Sequence, residues 1–295
     1  MLSIDLYIIG HKGFVCLQHI FNKYGIESLN CVITARDPNM ANDNHSLIQE
    51  FCTRNNIKVH NRASFDPANS EATFSFAISW KWMLDLSNLI VFHDSLLPKY
   101  RGFAPLVAQL SEGEKEIGVT ALLPSETSYD CGDIIAQRST SIDYPITIEQ
   151  AIYQVEGCYL ELIDFICNNH LNGKQLVATK QLESNASYSL WRDSSDYFIN
   201  WSNDACFIER FVNAVGYPYG CARSYVDNDV VIIKEGVAMP DLKVVNRDCG
   251  KIIMKDASNH PIVVCGSGLF KITKALMSDG SESLEIFKRF RLRFR

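Results

Sequence analysis

Short apolar runs alternate with amphipathic stretches through the first half of the chain. Each run is only a few residues long, which is typical of strands in a buried sheet. The predicted strands are residues 4–9, 31–34, 57–59, 74–78, 89–92, 117–123 and 134–136. Strands that alternate with helices in this order predict an α/β fold with a doubly wound, mostly parallel sheet.

Three amphipathic helices are predicted between and after these strands. Residues 10–13 form the turn into the first helix; they lack the dinucleotide-binding fingerprint, so we interpret them as a tight turn rather than a phosphate loop. The third helix starts at a capping box formed by Thr147 and Gln150. The apolar faces of the three helices are Phe14, Leu17, Ile20 and Phe21; Leu47, Ile48, Phe51 and Cys52; and Ile152, Val155, Cys158, Tyr159, Leu162 and Phe165.

The pattern changes in the last third of the chain. After Trp201 one helix is predicted over residues 205–215, followed by closely spaced strands over residues 222–226, 230–234, 251–254, 262–265 and 269–273. Short strands separated by turn residues suggest a small barrel. We therefore predict an α/β domain over residues 1–170, a connector over residues 171–200 and a smaller β domain over residues 201–295.

Candidate chemistry concentrates at the end of one predicted strand. His93 stands where the apolar run of residues 89–92 stops, and Asp130 lies in a loop of sequence Tyr-Asp-Cys-Gly-Asp between two later strands. Open α/β sheets bind ligands in the crevice at the carboxyl ends of their strands. We expect His93 and Asp130 to meet in that crevice.

Composition narrows the class of protein. The 295 residues suit two domains, and 47% hydrophobic residues are enough for substantial cores. A net charge of −6 argues against broad electrostatic capture of nucleic acid, although a local basic patch stays open. Ten cysteines without a CxxC pair indicate free thiols rather than a zinc site or a disulfide framework. Without a signal peptide or a membrane-length apolar run, the protein is expected to be soluble and cytoplasmic.

The residues around His93 form a long, ordered motif. The stretch reads His-x-Ser-Leu-Leu-Pro-x-Tyr-Arg-Gly-x-x-Pro, and Gly-Val-Thr at residues 118–120 and Asp-x-Gly-Asp at residues 130–133 follow it. This series resembles the formyltransferase family that uses N10-formyltetrahydrofolate, which includes methionyl-tRNA formyltransferase and the sugar N-formyltransferases. Residues 199–201 and 217–220 look like the start of that family's C-terminal domain. The resemblance implies an OB-like β-barrel for the second domain and a folate co-substrate without a metal.

The resemblance also implies the chemistry. His93 would take the proton of the attacking amine and relay it, and Asp130 would fix the imidazole tautomer and stabilise its cationic form. The resemblance further implies that Trp82, Met83 and Asp133 hold the folate, since relatives hold the pterin with backbone and apolar groups of the segment that corresponds to Trp82 and Met83. Stacking of a flat heterocycle against an indole is also reasonable chemistry.

For the acceptor we expect Arg101, Tyr100 and Arg192 to contribute. A guanidinium of Arg101 or Arg192 could bind a phosphate, although a turn-stabilising salt bridge is an equal alternative for Arg101. Tyr100 could equally serve packing alone.

One position departs from the family pattern. Relatives carry Asn-x-His, whereas this chain has Val91 two residues before His93, on the same face of the strand. An isopropyl group cannot donate to the developing oxyanion, and loss of one such donor typically lowers the rate by about 10² to 10³. Lys81, Ser79 or a backbone N–H near Asp94 could substitute; otherwise the chemistry differs, or the site binds without catalysing. We favour a substitute donor.

Three functions therefore stay open. The first is N-formylation of a nucleotide-linked amino sugar, the second is formylation of methionyl-tRNA, and the third is silent binding of folate or nucleotide. The acidic net charge favours a small-molecule substrate over tRNA, no membrane partner is expected, and a homodimer stays open. The basic and aromatic end of the chain, residues 288–295, is predicted to be a final strand whose Phe287, Phe290, Leu292 and Phe294 pack.

Overall fold

The computed structural model describes residues 1–67, 70–125, 128–227, 229–277, 280, 289 and 291–295. They form two compact units. The first unit comprises residues 1–105, 116–142 and 151–190, and the second comprises residues 106–115, 143–150 and 191–295. Within these described ranges, no helix is both long and apolar enough to span a membrane. All ten cysteines are free.

The helices and strands are numbered along the chain. The helices are α1 (Gly10–Tyr24), α2 (His45–Arg54), α3 (Pro105–Glu112), α4 (Ile148–Leu171) and α5 (Ala205–Ala214). The strands are β1 (Ile4–Ile8), β2 (Leu29–Thr34), β3 (Val59–Asn61), β4 (Phe74–Ile78), β5 (Leu89–His93), β6 (Arg101–Gly102), β7 (Glu116–Leu122), β8 (Ile134–Ser141), β9 (Tyr188–Ser189), β10 (Ala222–Val226), β11 (Asp229–Met239), β12 (Ile252–Lys255), β13 (Pro261–Val264) and β14 (Leu269–Met277).

The first unit is built on a seven-stranded sheet in the order β3-β2-β1-β4-β5-β7-β8. The first five strands of this order pair in parallel, whereas β7 runs antiparallel to both β5 and β8. The prediction of a mostly parallel α/β sheet is confirmed. The antiparallel strands extend one edge of the sheet, beside the strand that ends at His93.

The two faces of this sheet are covered differently. On one face Phe92 stacks against Tyr159 of α4, with ring centroids 5.9 Å apart. On the other face Tyr7 and Val91 lie in one register row, separated by Ala77. Here the cover consists of partly buried side chains from irregular segments, namely Phe65, Trp80, Leu84 and Leu86. Val91 is the one residue of β5 that is partly exposed rather than buried.

The second unit contains a five-stranded antiparallel sheet in the order β10-β11-β14-β13-β12. Helix α5 packs on β11 and β14. The Asp204 carboxylate caps this helix by accepting from the backbone N–H groups of Cys206 and Phe207, at 2.9 and 3.3 Å. The predicted helix and the five predicted strands are present, with β11 and β14 longer than expected.

The last residues of the chain pair with both edges of this sheet. Phe294 forms a bridge to Val226 at the end of β10, and Arg293 forms one to Lys251 beside β12. Across the described part of the unit, β10 and β12 do not pair with each other, so the predicted barrel is not a continuous ladder of strands. Leu292 and Phe294 are buried as predicted, and Phe287 and Phe290 lie outside the described residues.

Candidate active site

His93 is the last residue of β5 and is only 7% exposed. Its Nε2 lies 2.8 Å from the carbonyl oxygen of Tyr100, and its Nδ1 lies 3.5 Å from Oδ2 of Asp130. A carbonyl oxygen can only accept, so Nε2 carries a proton and donates it to Tyr100. The Nδ1 nitrogen then faces the Asp130 carboxylate at ion-pair distance.

The turn that follows His93 is fixed by short hydrogen bonds. The N–H of Ser95 donates to the His93 carbonyl at 2.8 Å, and the Ser95 hydroxyl donates to the Lys99 carbonyl at 2.7 Å. Thr120 of β7 donates from Oγ1 to the Ser95 carbonyl at 2.6 Å. These bonds give the serine and threonine of the sequence motif a physical role, because they hold the backbone that carries His93.

Asp130 reaches His93 from an unexpected direction. Strand β7 pairs His93 with Thr120 and Val91 with Leu122, so β7 runs toward the amino end of β5. The loop after β7 therefore begins toward the amino end of β5, away from His93. It then has to return along the sheet to place Asp130 beside His93. The sequence predicts that His93 and Asp130 meet at the carboxyl end of β5, but it does not predict this return of the loop.

The loop that carries Asp130 is held from both sides. The backbone N–H of Gly102 donates to Asp130 Oδ2 at 2.9 Å, and Gly102 has a φ of +98° that favours glycine. Gln181 donates from Nε2 to the carbonyl oxygens of Asp130 and Gly132, at 2.7 and 2.8 Å. A Cβ on Gly132 would lie 1.8 Å from the Leu123 carbonyl oxygen, so only glycine fits.

Backbone strain accumulates around this pair. Four non-glycine residues here adopt left-handed backbone conformations: Ser79 (φ +54°), Tyr100 (φ +59°), Ala104 (φ +45°) and Asp130 (φ +55°). Each such conformation costs on the order of 1 to 3 kcal/mol and persists where surrounding contacts enforce it, often at functional sites. The observed strain makes the end of β5 the candidate active site.

Arg101 is buried and fully hydrogen-bonded within the first unit. Its Nη1 donates to Glu183 Oε2 (2.9 Å) and Tyr188 Oη (3.2 Å), and its Nη2 donates to Glu183 Oε1 (2.7 Å) and Gln181 Oε1 (2.8 Å). The Nε group donates to the same Gln181 oxygen at 3.0 Å. All the N–H groups of the guanidinium are used. The arrangement matches the salt-bridge alternative for Arg101, and its role in substrate binding stays a prediction.

The other residues expected near the acceptor and the folate are dispersed. Tyr100 acts here through its backbone, since its N–H donates to the Ser187 hydroxyl at 2.9 Å and its carbonyl accepts from His93. Asp133 is partly buried, and its carbonyl accepts from the N–H of Leu123 at 3.0 Å. Arg192 lies in the second unit, where it donates to the Asp196 carbonyl at 3.4 Å. Its role stays a prediction.

Trp82 and Met83 have different surroundings. Trp82 is partly buried, packs edge-on to Trp80 with centroids 5.1 Å apart, and carries the guanidinium of Arg62 at 4.4 Å from its ring centroid. Met83 is 73% exposed. The structure therefore links Trp82, through Trp80, to the apolar cover of the sheet face that holds Val91. The contact with Arg62 had no signal in the sequence.

Two of the three proposed substitute donors can be placed. The Lys81 ammonium forms an ion pair with Asp37. Ser79 directly follows β4. Its hydroxyl is shielded from solvent and has no hydrogen-bond partner in the portion of the chain that the structure describes.

A second polar cluster, missed by the sequence analysis, lies on the other face of the sheet. The Asp94 carboxylate accepts from the Lys12 ammonium through Oδ2 and from the Tyr159 hydroxyl through Oδ1, the latter at 2.6 Å. Glu156 lies nearby, with Oε1 2.8 Å from Nε2 of His11. Burial raises the pKa of Glu156 to about 7, and the positive charge of Lys12 partly opposes the rise. The partners are far apart in sequence, so no local pattern predicts the cluster.

The described residues of this site do not form a set of metal ligands. Among the residues with described positions, no three His, Cys, Asp or Glu side chains are grouped to hold an ion. The donors at the end of β5 are instead one imidazole and one carboxylate.

Two parts of the chain match known protein families. The family described as formyl transferase matches residues 80–157, and its C-terminal domain family matches residues 193–286. A methionyl-tRNA formyltransferase of Clostridium novyi is 28% identical over 260 residues, which is 82% of this chain and 81% of that protein. One from Thermodesulfovibrio yellowstonii is 35% identical over 185 residues, which is 61% of this chain and 55% of that protein.

Solved structures share the fold at low identity. The sugar 3N-formyl transferase WlaRD, determined with dTDP and 5-N-formyl-THF, superposes with a TM-score of 0.66 at 19% identity, covering 95% of this chain and 98% of that one. An N-formyltransferase from Helicobacter canadensis, in complex with folinic acid and dTDP-3-aminofucose, gives a TM-score of 0.69 at 16% identity, covering 92% and 99%.

The fold and the end of β5 define an α/β enzyme with a His and Asp pair and a second, antiparallel β unit. The two family matches together span more than half of the chain, including His93 and Asp130. The chain belongs to the formyltransferase family and is a formyltransferase.

Proposed function

We propose that this enzyme transfers the formyl group of N10-formyltetrahydrofolate to the amine of a nucleotide-linked amino sugar. The observation that carries the proposal is the position of His93 at the end of β5, with Nδ1 3.5 Å from Oδ2 of Asp130, on the sheet face of the partly exposed Val91. An acid and base pair at such an edge suits acyl transfer to an amine, in which one proton must leave the amine and one must reach the leaving nitrogen.

His93 and Asp130 have complementary roles in this proposal. The imidazole takes the proton from the attacking amine and later passes it on, since its ordinary pKa lies near neutrality. Asp130 stabilises the imidazolium and orients the ring, as a buried carboxylate does for a catalytic histidine. In the resting protein Nε2 donates to the Tyr100 carbonyl, so Nε2 can accept the proton of the amine only after this bond is broken and the ring proton stands on Nδ1, facing Asp130.

Aromatic side chains on the same face of the sheet offer a wall for the folate co-substrate. Trp80 and Phe65 cover Tyr7 there, and Trp82 packs edge-on to Trp80. A flat pterin stacks favourably on such rings, and the co-substrate would supply the activated formyl group. The two solved relatives, with 5-N-formyl-THF and with folinic acid, support a folate here. We propose Trp82 for this wall; Met83 and Asp133 stay predictions.

The nucleotide-linked acceptor is supported by two observations. The solved relatives were determined with dTDP and with dTDP-3-aminofucose. The chain also carries 34 acidic against 28 basic residues, and a protein that grips tRNA needs several cationic side chains along the phosphates.

Formylation of methionyl-tRNA is the second candidate. It is favoured by the two sequence relatives described as methionyl-tRNA formyltransferases, at 28% and 35% identity. A diphosphate ligand needs only one or two cations, so salt should separate the two candidates.

Calorimetric titration tests the acceptor class. Deoxythymidine diphosphate and uridine diphosphate are titrated in parallel with initiator tRNA at low and at high salt. We expect micromolar to millimolar binding of a nucleoside diphosphate with a shallow dependence on salt. Tight, steeply salt-dependent tRNA binding without detectable nucleotide binding would reverse the order of the two candidates.

A further inference from the structure

Asp94 follows His93 directly but points to the opposite face of the sheet. Side chains alternate along a strand, so His93 lies on the face of Val91 whereas Asp94 reaches the face covered by helices. There its carboxylate meets Lys12 of α1 and Tyr159 of α4. One residue thus links the backbone of His93 to two helices.

The anchor is buried and geometrically specific. Lys12 is 8% exposed and Tyr159 is 1% exposed. The Lys12 ammonium also lies 5.6 Å from the centroid of the Tyr159 ring. The same ring stacks on Phe92, so Tyr159 holds the residues on both sides of His93.

Other charged groups surround this anchor without replacing it. His11 of α1 pairs with Glu156 of α4 at 2.8 Å, and Tyr153 packs against His11 with centroids 4.8 Å apart. Within this cluster, Asp94 is the carboxylate that accepts both from the Lys12 ammonium and from the Tyr159 hydroxyl. Charge-assisted hydrogen bonds of this kind are roughly twice as strong as neutral ones and fix orientation.

We propose that Asp94, clamped by Lys12 and Tyr159, is a positioning residue that sets where the His93 imidazole stands against Asp130. The inference rests on the proposed function, because it takes His93 as the group that moves the proton. The Ser95 N–H donates to the His93 carbonyl, which closes a short turn around Asp94. A displacement of Asp94 therefore also displaces His93. A misplacement of about 1 Å can lower a rate by about 10²-fold.

Kinetics of Asp94→Asn, Lys12→Met and Tyr159→Phe test the proposal in the full-length enzyme. Asp94→Asn and Lys12→Met should each lower kcat by about 10- to 100-fold while KM for both substrates changes by less than about threefold. Tyr159→Phe keeps the ion pair and the ring, so its loss should be smaller. The double variant K12M/D94N removes both charges and should be no worse than either single variant.

The chain offers a matched control between the same two helices. Asp164 of α4 accepts from Lys23 at 2.7 Å and from Tyr24 at 2.8 Å, both on α1. It repeats the lysine, aspartate and tyrosine arrangement away from β5. Asp164→Asn should lower the melting temperature while kcat stays within about twofold of the wild-type value.

A substrate-independent measurement separates this inference from the acceptor proposal. The ¹⁵N resonances of the His93 imidazole, assigned with His93→Ala, report which ring nitrogens carry protons. Asp94→Asn should change them, and Asp164→Asn should not. If wild-type enzyme formylates no amino sugar, the proposed function fails and these spectra still decide the positioning role. Unchanged spectra in Asp94→Asn, or equal losses of kcat in Asp94→Asn and Asp164→Asn, would overturn it.

Discussion

Nδ1 of His93 lies 3.5 Å from Oδ2 of Asp130. The same carboxylate oxygen accepts from the Gly102 N–H at 2.9 Å, so its position is set by the backbone of β6. The pair joins two segments that are distant in sequence, and we propose that it carries the proton transfers of formylation.

Substitution of either His93 or Asp130 should lower the turnover number. We expect His93→Ala and Asp130→Asn each to lower kcat by about 10² to 10⁴-fold, with folate affinity within a few fold, because both groups act on proton transfer. Steady-state kinetics with a folate titration measure both quantities. Asp85→Asn, which alters an exposed carboxylate, serves as the control. Near-normal turnover in His93→Ala or Asp130→Asn would remove the proposed roles.

Val91→Asn asks whether the oxyanion site is complete. If another donor already serves it, the new carboxamide should leave kcat unchanged or lower it. The Lys81 ammonium already pairs with Asp37, whereas the shielded Ser79 hydroxyl has no hydrogen-bond partner among the described residues. We therefore expect Ser79 or a backbone N–H as the donor and no gain in rate. Val91→Ala controls for volume, and a gain beyond about tenfold, or 1.4 kcal/mol, would contradict this expectation.

Arg101→Lys should affect stability rather than ligand binding. An ammonium cannot make the forked contacts to Glu183 and Gln181, so we expect a loss of about 2 kcal/mol in the free energy of unfolding. Denaturant unfolding measures the loss, and calorimetry with a nucleoside diphosphate should show an unchanged Kd. A weaker Kd with unchanged stability would instead favour Arg101 as a phosphate ligand.

Glu156→Gln should stabilise the protein in a pH-dependent way. The folded-state pKa of about 7 lies above the ordinary value of 4.5, so the folded protein holds this proton more tightly than the unfolded chain. Wild-type stability therefore falls as pH rises from about 4.5 through 7, and the full destabilisation is present above that range.

The variant removes this titration. We expect a gain on the order of 1 kcal/mol at about pH 8 that disappears near pH 4.5, since one pKa unit corresponds to about 1.4 kcal/mol and Glu156 is partly shielded. Denaturant unfolding at both pH values measures it, with Glu50→Gln on the surface of α2 as the control. A gain that is equal at both pH values would contradict the account.

The strands of the sheet and the contact between His93 and Asp130 were predictable from the sequence because they depend on local patterns. Apolar runs predict β1, β4 and β5, and the motif around His93 identifies His93 and Asp130 as candidate catalytic residues. The antiparallel direction of β7 was not predictable from its own residues, because an apolar run has the same pattern in either direction. The burial of Arg101 and the clamp on Asp94 depend on partners that are distant in the chain: Glu183 for Arg101, and Lys12 and Tyr159 for Asp94.

A transfer assay tests the central claim most directly. Tetrahydrofolate release is followed after mixing the enzyme and N10-formyltetrahydrofolate with dTDP- and UDP-linked amino sugars, with methionyl-tRNA or with no acceptor. We predict release that depends on an amino sugar, produces the N-formyl sugar and is lost in His93→Ala. Release that depends on methionyl-tRNA alone, with every amino sugar inert, would contradict it.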